Sequence, residues 1–207
     1  MAEYRTVAGM ASDEFSEKKS RFIGQIAPAS TEEEALSFLA EIKSRYRDAS
    51  HHVFAYILRE NQIRRASDDG EPQGTGGVPV LNVLDGNGLS NVCCVVTRYF
   101  GGTLLGVGGL ARAYTEGARL AVSAAEIRIM AESVDLSLQT DYSLYGKLGH
   151  YFDEHGIFVL STAFGADVSV TVRLKKEDVP AFEHDVTELS GGTVSPEIVA
   201  KGWNEMK

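Results

Sequence analysis

With 207 residues, 43% hydrophobic and 24% charged, the chain is long enough for one large or two modest cores and reads as an ordinary globular protein. Its formal net charge of -9 excludes a wholesale basic footprint, the usual basis of sequence-independent attraction to phosphate backbones. Met1 to Arg5 carry no charged-then-apolar leader and no window approaches about 18 uninterrupted apolar residues, so a soluble, cytoplasmic protein away from membranes is expected.

After a mixed-polarity start, Lys19 to Ile26 alternates as a strand does, and Pro28 helps to end it. Ser30 or Thr31 can then cap a helix, with Glu33 or Glu34 three residues on. Ala35, Leu36, Leu39, Ile42 and Tyr46 recur along it at helical spacing. His52 to Leu58 is a second apolar strand, followed by a turn at Asn61 and a charged stretch.

Ser67 to Pro79 holds three carboxylates and four glycines in thirteen residues and reads as loop. Val78 to Leu84 and Asn91 to Thr97 are apolar runs around Asp85-Gly86-Asn87-Gly88, which predicts a hairpin. Within the second run Cys93 and Cys94 are adjacent, so a strand sends them to opposite faces, where they read as free, buried thiols in a reducing compartment. An Ala-rich helix is expected from about Gly109 to Ala125.

From Val134 the pattern becomes a compact series. Val134, Leu136 and Leu138 alternate; Asp141 caps a helix with Leu144, Tyr145, Leu148, Tyr151 and Phe152 on one face, which Gly156 stops. Ile157 to Ala163 and Val168 to Leu174 make a hairpin. Asp178 and Pro180 open a helix carrying Val179, Phe182, Val186 and Leu189; Gly191-Gly192 closes it, and Thr193 to Val199 is the last strand. The order βαββαβ is the ferredoxin-like split motif. The fold class expected is α+β in two domains, 1–132 and 133–207.

The chemistry concentrates between Ser67 and Arg119. Gly residues allow main-chain N–H groups to approach a ligand closely. The run Arg98-Tyr99-Phe100-Gly101-Gly102 through Gly106, Gly108 and Gly109 to Arg112 is a strand, glycine-rich turn and helix start, an arrangement that favours an anion. Neither nucleotide fingerprint holds. Val107-Gly108 stands where a P-loop needs Lys-Ser or Lys-Thr, and the turn is too long for a dinucleotide motif. Arg98, Tyr99, Gly101, Gly102, Gly106, Gly108, Gly109, Arg112 and Thr75 are therefore the candidate anion- or RNA-binding residues.

Asp68, Asp69 and Glu71 are candidate ligands of magnesium or calcium, although their spacing is not that of an EF-hand; no other cofactor is expected. His51-His52 lead a strand and point apart, and no spacing assembles a nucleophilic triad. A purely structural alternative pairs Arg98 or Arg112 with Asp68 or Asp69 as an internal ion pair.

The motifs Ala49-Ser50-His51-His52-Val53-Phe54-Ala55-Tyr56, Ser67 through Thr75, and Val96-Thr97-Arg98-Tyr99-Phe100-Gly101-Gly102 continuing to Tyr114 resemble the YigZ/IMPACT family over the whole chain. Gly76 departs from it, since the family more often has alanine there. The resemblance implies an amino-terminal domain like the second domain of ribosomal protein S5, with helices on one sheet face. The carboxy-terminal domain would be ferredoxin-like, similar to one in elongation factor G. It also implies a link to translational control, through the eukaryotic relative's partner of the kinase that senses amino-acid starvation. No catalytic residue carries over. The leading expectation is a binding module for RNA, the ribosome or a translation-associated protein. The alternative is an enzyme acting on a phosphorylated or nucleotide-like small molecule with a divalent ion. The acidic second domain, net -6 after Ser133 against -3 before it, lacks the basic and aromatic sheet of an RNA-recognition motif.

Overall fold

The computed structural model describes residues 3–206; the expectations that touch Met1, Ala2 and Lys207 lie outside the described residues. Two compact units divide the chain inside one strand, residues 4–129 and residues 130–206 with Glu3.

In the first unit the order is β1 (Glu3–Val7), β2 (Ala11–Glu17), β3 (Ser20–Pro28), α1 (Glu32–Arg45), β4 (His51–Leu58) and β5 (Ile63–Ser67). α2 (Gly77–Gly86), β6 (Val92–Tyr99) and α3 (Val107–Ala124) follow. Strands β2-β3-β6-β4-β5 form one antiparallel sheet. Lys18 and Lys19 take φ of 48° and 68° at the β2–β3 connection, the left-handed pair that a tight hairpin turn demands. The Thr31 hydroxyl accepts from Glu34 N–H at 3.2 Å and Glu34 returns to Ser30 N–H at 2.6 Å, a reciprocal cap that fixes the start of α1. Phe38 joins Ala35, Leu39 and Ile42 on the buried face, while Leu36 is 47% exposed, so the stripe lies one position round from that expected.

Cross-strand register sorts the core into two faces. Val53, Ala55, Ile57, Cys94 and Val96 pack under α2 and α3. Tyr56, Leu58, Cys93 and Val95 pack under α1. Helices thus cover both faces, not the one that the resemblance implied. Gly24 and Gly117 let α3 lie on the sheet, since a Cβ on Gly24 would come 1.9 Å from the Gly117 carbonyl oxygen.

The expected hairpin of Val78–Leu84 with Asn91–Thr97 is corrected. The first run is α2, with Val80 and Leu84 buried one turn apart and Val78 exposed, and the second is β6, paired with β3 and β4. A seven-residue apolar run fits a buried helix as well as a strand, and the length rule alone cannot separate them. The loop expected to reach Pro79 correspondingly ends at Gly76. Strands β1, β2 and β5 fall where mixed or charged segments gave no alternation.

The second unit contains β7 (Ile127–Thr140) from Met130 on, α4 (Tyr142–Glu154), β8 (Phe158–Phe164), β9 (Val168–Lys175), α5 (Val179–Ser190) and β10 (Glu197–Glu205). Its sheet runs β10-β7-β9-β8, with β1 also paired to β7, and the chain is a two-domain α+β protein with a ferredoxin-like second unit. Asp141 caps α4 through Leu144 N–H at 2.8 Å, and Gly191 closes α5 at φ 60°. The last strand begins at Glu197, four residues later than expected.

Candidate functional site

Three carboxylates in the loop between β5 and α2 each take different partners. Asp68 accepts the N–H groups of Gly74, Gly76 and Gly77 at 2.8, 2.9 and 2.8 Å. A side chain of this chain therefore occupies the anion-accepting start of α2. Burial alone would raise the Asp68 pKa, but these N–H donors outweigh it and hold the acid below its ordinary value. Asp69 accepts from Lys43 at 2.9 Å and from His52 N–H at 2.6 Å; burial opposes ionisation there too and is again outweighed.

Glu71 reaches inward. Its Oε1 accepts from Arg98 at 2.6 Å and from the Tyr114 hydroxyl at 2.7 Å, and His51 Nε2 stands 3.9 Å away. The Arg98 and Glu71 side chains are only 5% and 4% exposed. Arg98 is placed on β6 opposite His51 of β4 and Phe22 of β3, with its guanidinium 5.5 Å from the ring centres of Phe22 and Phe100. Burial and the Glu71 carboxylate together push the Tyr114 hydroxyl pKa upward, so it remains a donor.

The expected metal triad is thus corrected: its members diverge into separate hydrogen-bond sets. Among the described residues no group of three or more His, Cys, Asp or Glu is placed to hold a metal ion. Arg98 is likewise removed from the exposed contact surface. Its role is the internal ion pair weighed as the structural alternative, with Glu71 as partner instead of Asp68 or Asp69. Thr75 is buried and bonds Pro72 within the same loop. Tyr99 donates to Asp48 at 2.9 Å at the surface.

The second glycine-rich stretch remains open to solvent. Phe100 N–H donates to Ser50 at 3.2 Å and Gly101 N–H to Ser20 at 3.1 Å. Gly101 lies so close on the β2–β3 turn that a Cβ would come 2.0 Å from the Lys19 carbonyl carbon. Gly102 and Gly106, at φ 80° and 72°, turn the chain from β6 to α3, whose start has no side-chain cap. Between these anchors Leu104 is 83% exposed, Val107 66% and Phe100 49%. Arg112, one turn into α3, is exposed. It borders a cleft of about 450 Å³ lined by Phe15, Glu17, Lys18, Leu105, Gly109 and Glu116. Gly108 lies beside the Arg112 guanidinium, 3.5 Å from where its Cβ would stand. The candidate residues therefore fall into a sealed group, Arg98, Thr75 and the Glu71 side chain, a half-buried pair, Asp68 and Asp69, and an open stretch, Gly101 to Arg112.

The Impact N-terminal domain matches residues 18–122, more than half of the chain, and a domain of unknown function (DUF1949) matches residues 138–193. The chain belongs to the IMPACT family. IMPACT family member YvyE of Bacillus subtilis is 37% identical over 192 residues, covering 91% of this chain and 88% of that one. An IMPACT family member of Haemophilus influenzae is 34% identical, covering 98% of this chain and all of its own. A solved structure described as a hypothetical protein covers 97% of this chain and 98% of its own at 29% identity, with a TM-score of 0.64. Protein IMPACT of Mus musculus matches a shorter part, 28% identical over 97 residues and 30% of its length.

Sequence reasoning passed over Tyr114 and Lys43, which complete the two carboxylate sets, and Ser20 behind Arg98, and it weighed His51 only beside His52. His51 and Tyr114 stand in the very motifs that carry the resemblance, which was the available signal. Nothing local pairs Lys43 with Asp69, 26 residues on. No described helix is long and apolar enough to cross a membrane.

Proposed function

We propose that this IMPACT-family protein is a translation-associated binding protein that docks on a protein surface, of the ribosome or of a factor bound to it, through the loop from Phe100 to Gly109. The carrying observation is that Leu104 and Val107 expose 83% and 66% of their surface on a loop pinned at both ends, so little ordering entropy is lost on binding. The net charge of -9 and the acids Glu17 and Glu116 beside Lys18 and Arg112 favour a protein surface over a bare phosphate backbone. The translational assignment is an analogy with the eukaryotic relatives.

Ribosome co-sedimentation tests this. A Leu104→Asp, Arg112→Ala variant should bind at least tenfold more weakly. Two cations limit the loss of parental binding between 50 and 200 mM salt to roughly tenfold, against about a thousandfold for six or more phosphate contacts. Undiminished binding by the variant removes this surface from consideration, and a steep salt dependence moves the target to RNA. The uncapped start of α3 beside Lys18 and Arg112 favours one alternative, an enzyme on a phosphorylated small molecule. A thermal-shift series with phosphorylated compounds tests it, since a specific ligand raises the melting temperature.

A further inference from the structure

β8 is the outer strand of the second unit's sheet, hydrogen-bonded to β9 on one side; among the described residues nothing pairs with its other side. Its sequence, Phe158-Val-Leu-Ser-Thr-Ala-Phe164, contains no charge and no proline, and the uncharged run extends from Ile157 to Ala166. Natural sheets blunt such edges with charges or proline, because free N–H and C=O groups beside apolar side chains recruit another strand. Among the described residues the other outer strands follow that rule: β1 carries Glu3 and Arg5. β2 carries Asp13, Glu14 and Glu17, β5 carries Arg64 and Arg65, and β10 carries Glu197, Lys201 and Glu205. β8 alone has only a bulge at Leu160, which leaves Ser161 to Phe164 in regular register.

The exposed side chains continue around this edge: Phe158 is 54% exposed, Leu160 37%, Phe164 63% and Tyr142, stacked on Phe164 from α4, 55%. At about 200 Å² for a full aromatic side chain, the three aromatics alone offer roughly 350 Å². We propose that β8 pairs antiparallel with β8 of a second copy of this chain about a two-fold axis near Thr162. The joined sheet is then continuous through both copies. A strand without charge meets no like-charge repulsion when paired with itself, which a two-fold contact requires. With Val159, Leu160 and the strand backbone added on both sides, the contact closes at most about 1,000 Å² in total, the lower bound for a specific interface, so the pair is expected to be weak.

The full chain should weigh twice its 22.4 kDa in sedimentation equilibrium at about 100 µM and dissociate on dilution. Ala163→Lys places like charges across the axis and should weaken the dimer at least tenfold, with circular dichroism reporting an intact fold. Single-cysteine variants at Ser161, Thr162 and Ala163 give an independent readout, because the native thiols of Cys93 and Cys94 are buried. At least one should cross-link two copies on mild oxidation, while Val199→Cys on β10 should not. A single-copy mass at every concentration overturns the proposal, as do open-ended assemblies or a dimer that survives Ala163→Lys. Should Ala163→Lys fail to fold, the cross-linking decides: no covalent pair at any β8 position rejects the contact.

Discussion

Replacing Arg98 with methionine keeps most of the side-chain volume under Phe22 and Phe100 but removes the guanidinium that faces the Glu71 carboxylate. Both side chains are almost fully buried, 5% and 4% exposed, so water cannot replace the lost donor. At an effective dielectric near 20, two charges about 4 Å apart attract by roughly 4 kcal/mol. Removing one partner of a buried pair costs about 3–5 kcal/mol by the same logic. Urea unfolding followed by circular dichroism should show a lower midpoint at an unchanged slope. The exposed Arg112→Ala variant should stay within about 0.5 kcal/mol of the parent. If the charge itself is what matters, Glu71→Gln combined with Arg98→Met should cost less than the two single changes added, with a coupling above about 1.5 kcal/mol. An Arg98→Met variant within about 1 kcal/mol of the parent would refute this account and return Arg98 to the candidate contact surface.

Gly24→Ala should destabilise by about 3 kcal/mol or more, because its Cβ has no room beside the Gly117 carbonyl and neither backbone can yield cheaply; parent-like unfolding would disprove that close approach. Asp68→Ala strands three N–H groups, of which those of Gly76 and Gly77 are on buried residues, and should cost roughly 2–5 kcal/mol at pH 7. Because the folded Asp68 pKa is depressed, this contribution is present above the unfolded value of about 3.9 and is lost as pH falls through the folded one. Parent and variant stabilities should therefore converge at acid pH, and a constant gap would contradict the assignment. Cys93, pushed up to about 12 by burial, and Cys94, pushed higher still, should resist an aromatic disulfide reagent at pH 8 until the protein unfolds; rapid labelling of the native chain would show the strand to be open.

The second unit was legible element by element, with only the last strand displaced, because each signal there is local. Asp141 caps its own helix, Gly191 takes the left-handed turn that closes the next, and Val168 to Leu174 alternates with one face in the core. In the first unit the decisive partners are distant in sequence. Asp68 caps α2 from nine residues away, so neither the cap nor the helix shows as a pattern before Val78. Arg98 reads as a basic residue at a turn; only the register of β3 and β4 against β6 shows that it is sealed. Which of three acids would pair with it was equally closed to inspection, since Asp68, Asp69 and Glu71 are near neighbours in a loop that passes through left-handed backbone at Asp69 and Gly70.

That sealing bears on the open loop as well. Gly101 packs on the β2–β3 turn, and Ser20 on the same hairpin accepts from Gly101 N–H while lying 3.4 Å from the Arg98 guanidinium. The buried pair with Glu71 thus holds, through Ser20, the strand end from which Phe100, Leu104 and Val107 project. Composition treats every glycine between Gly70 and Gly109 as equally free, yet Gly76, Gly77 and Gly101 have no space for a Cβ, while Gly102 and Gly106 supply left-handed turns. A segment rich in glycine can therefore be stiff, and an exposed apolar loop that is stiff offers a contact surface at a small entropic cost. Weakening Arg98–Glu71 should then loosen the loop without touching any residue on it, which separates variants that lose binding through disorder from those, such as Leu104→Asp, that lose it through the contact itself.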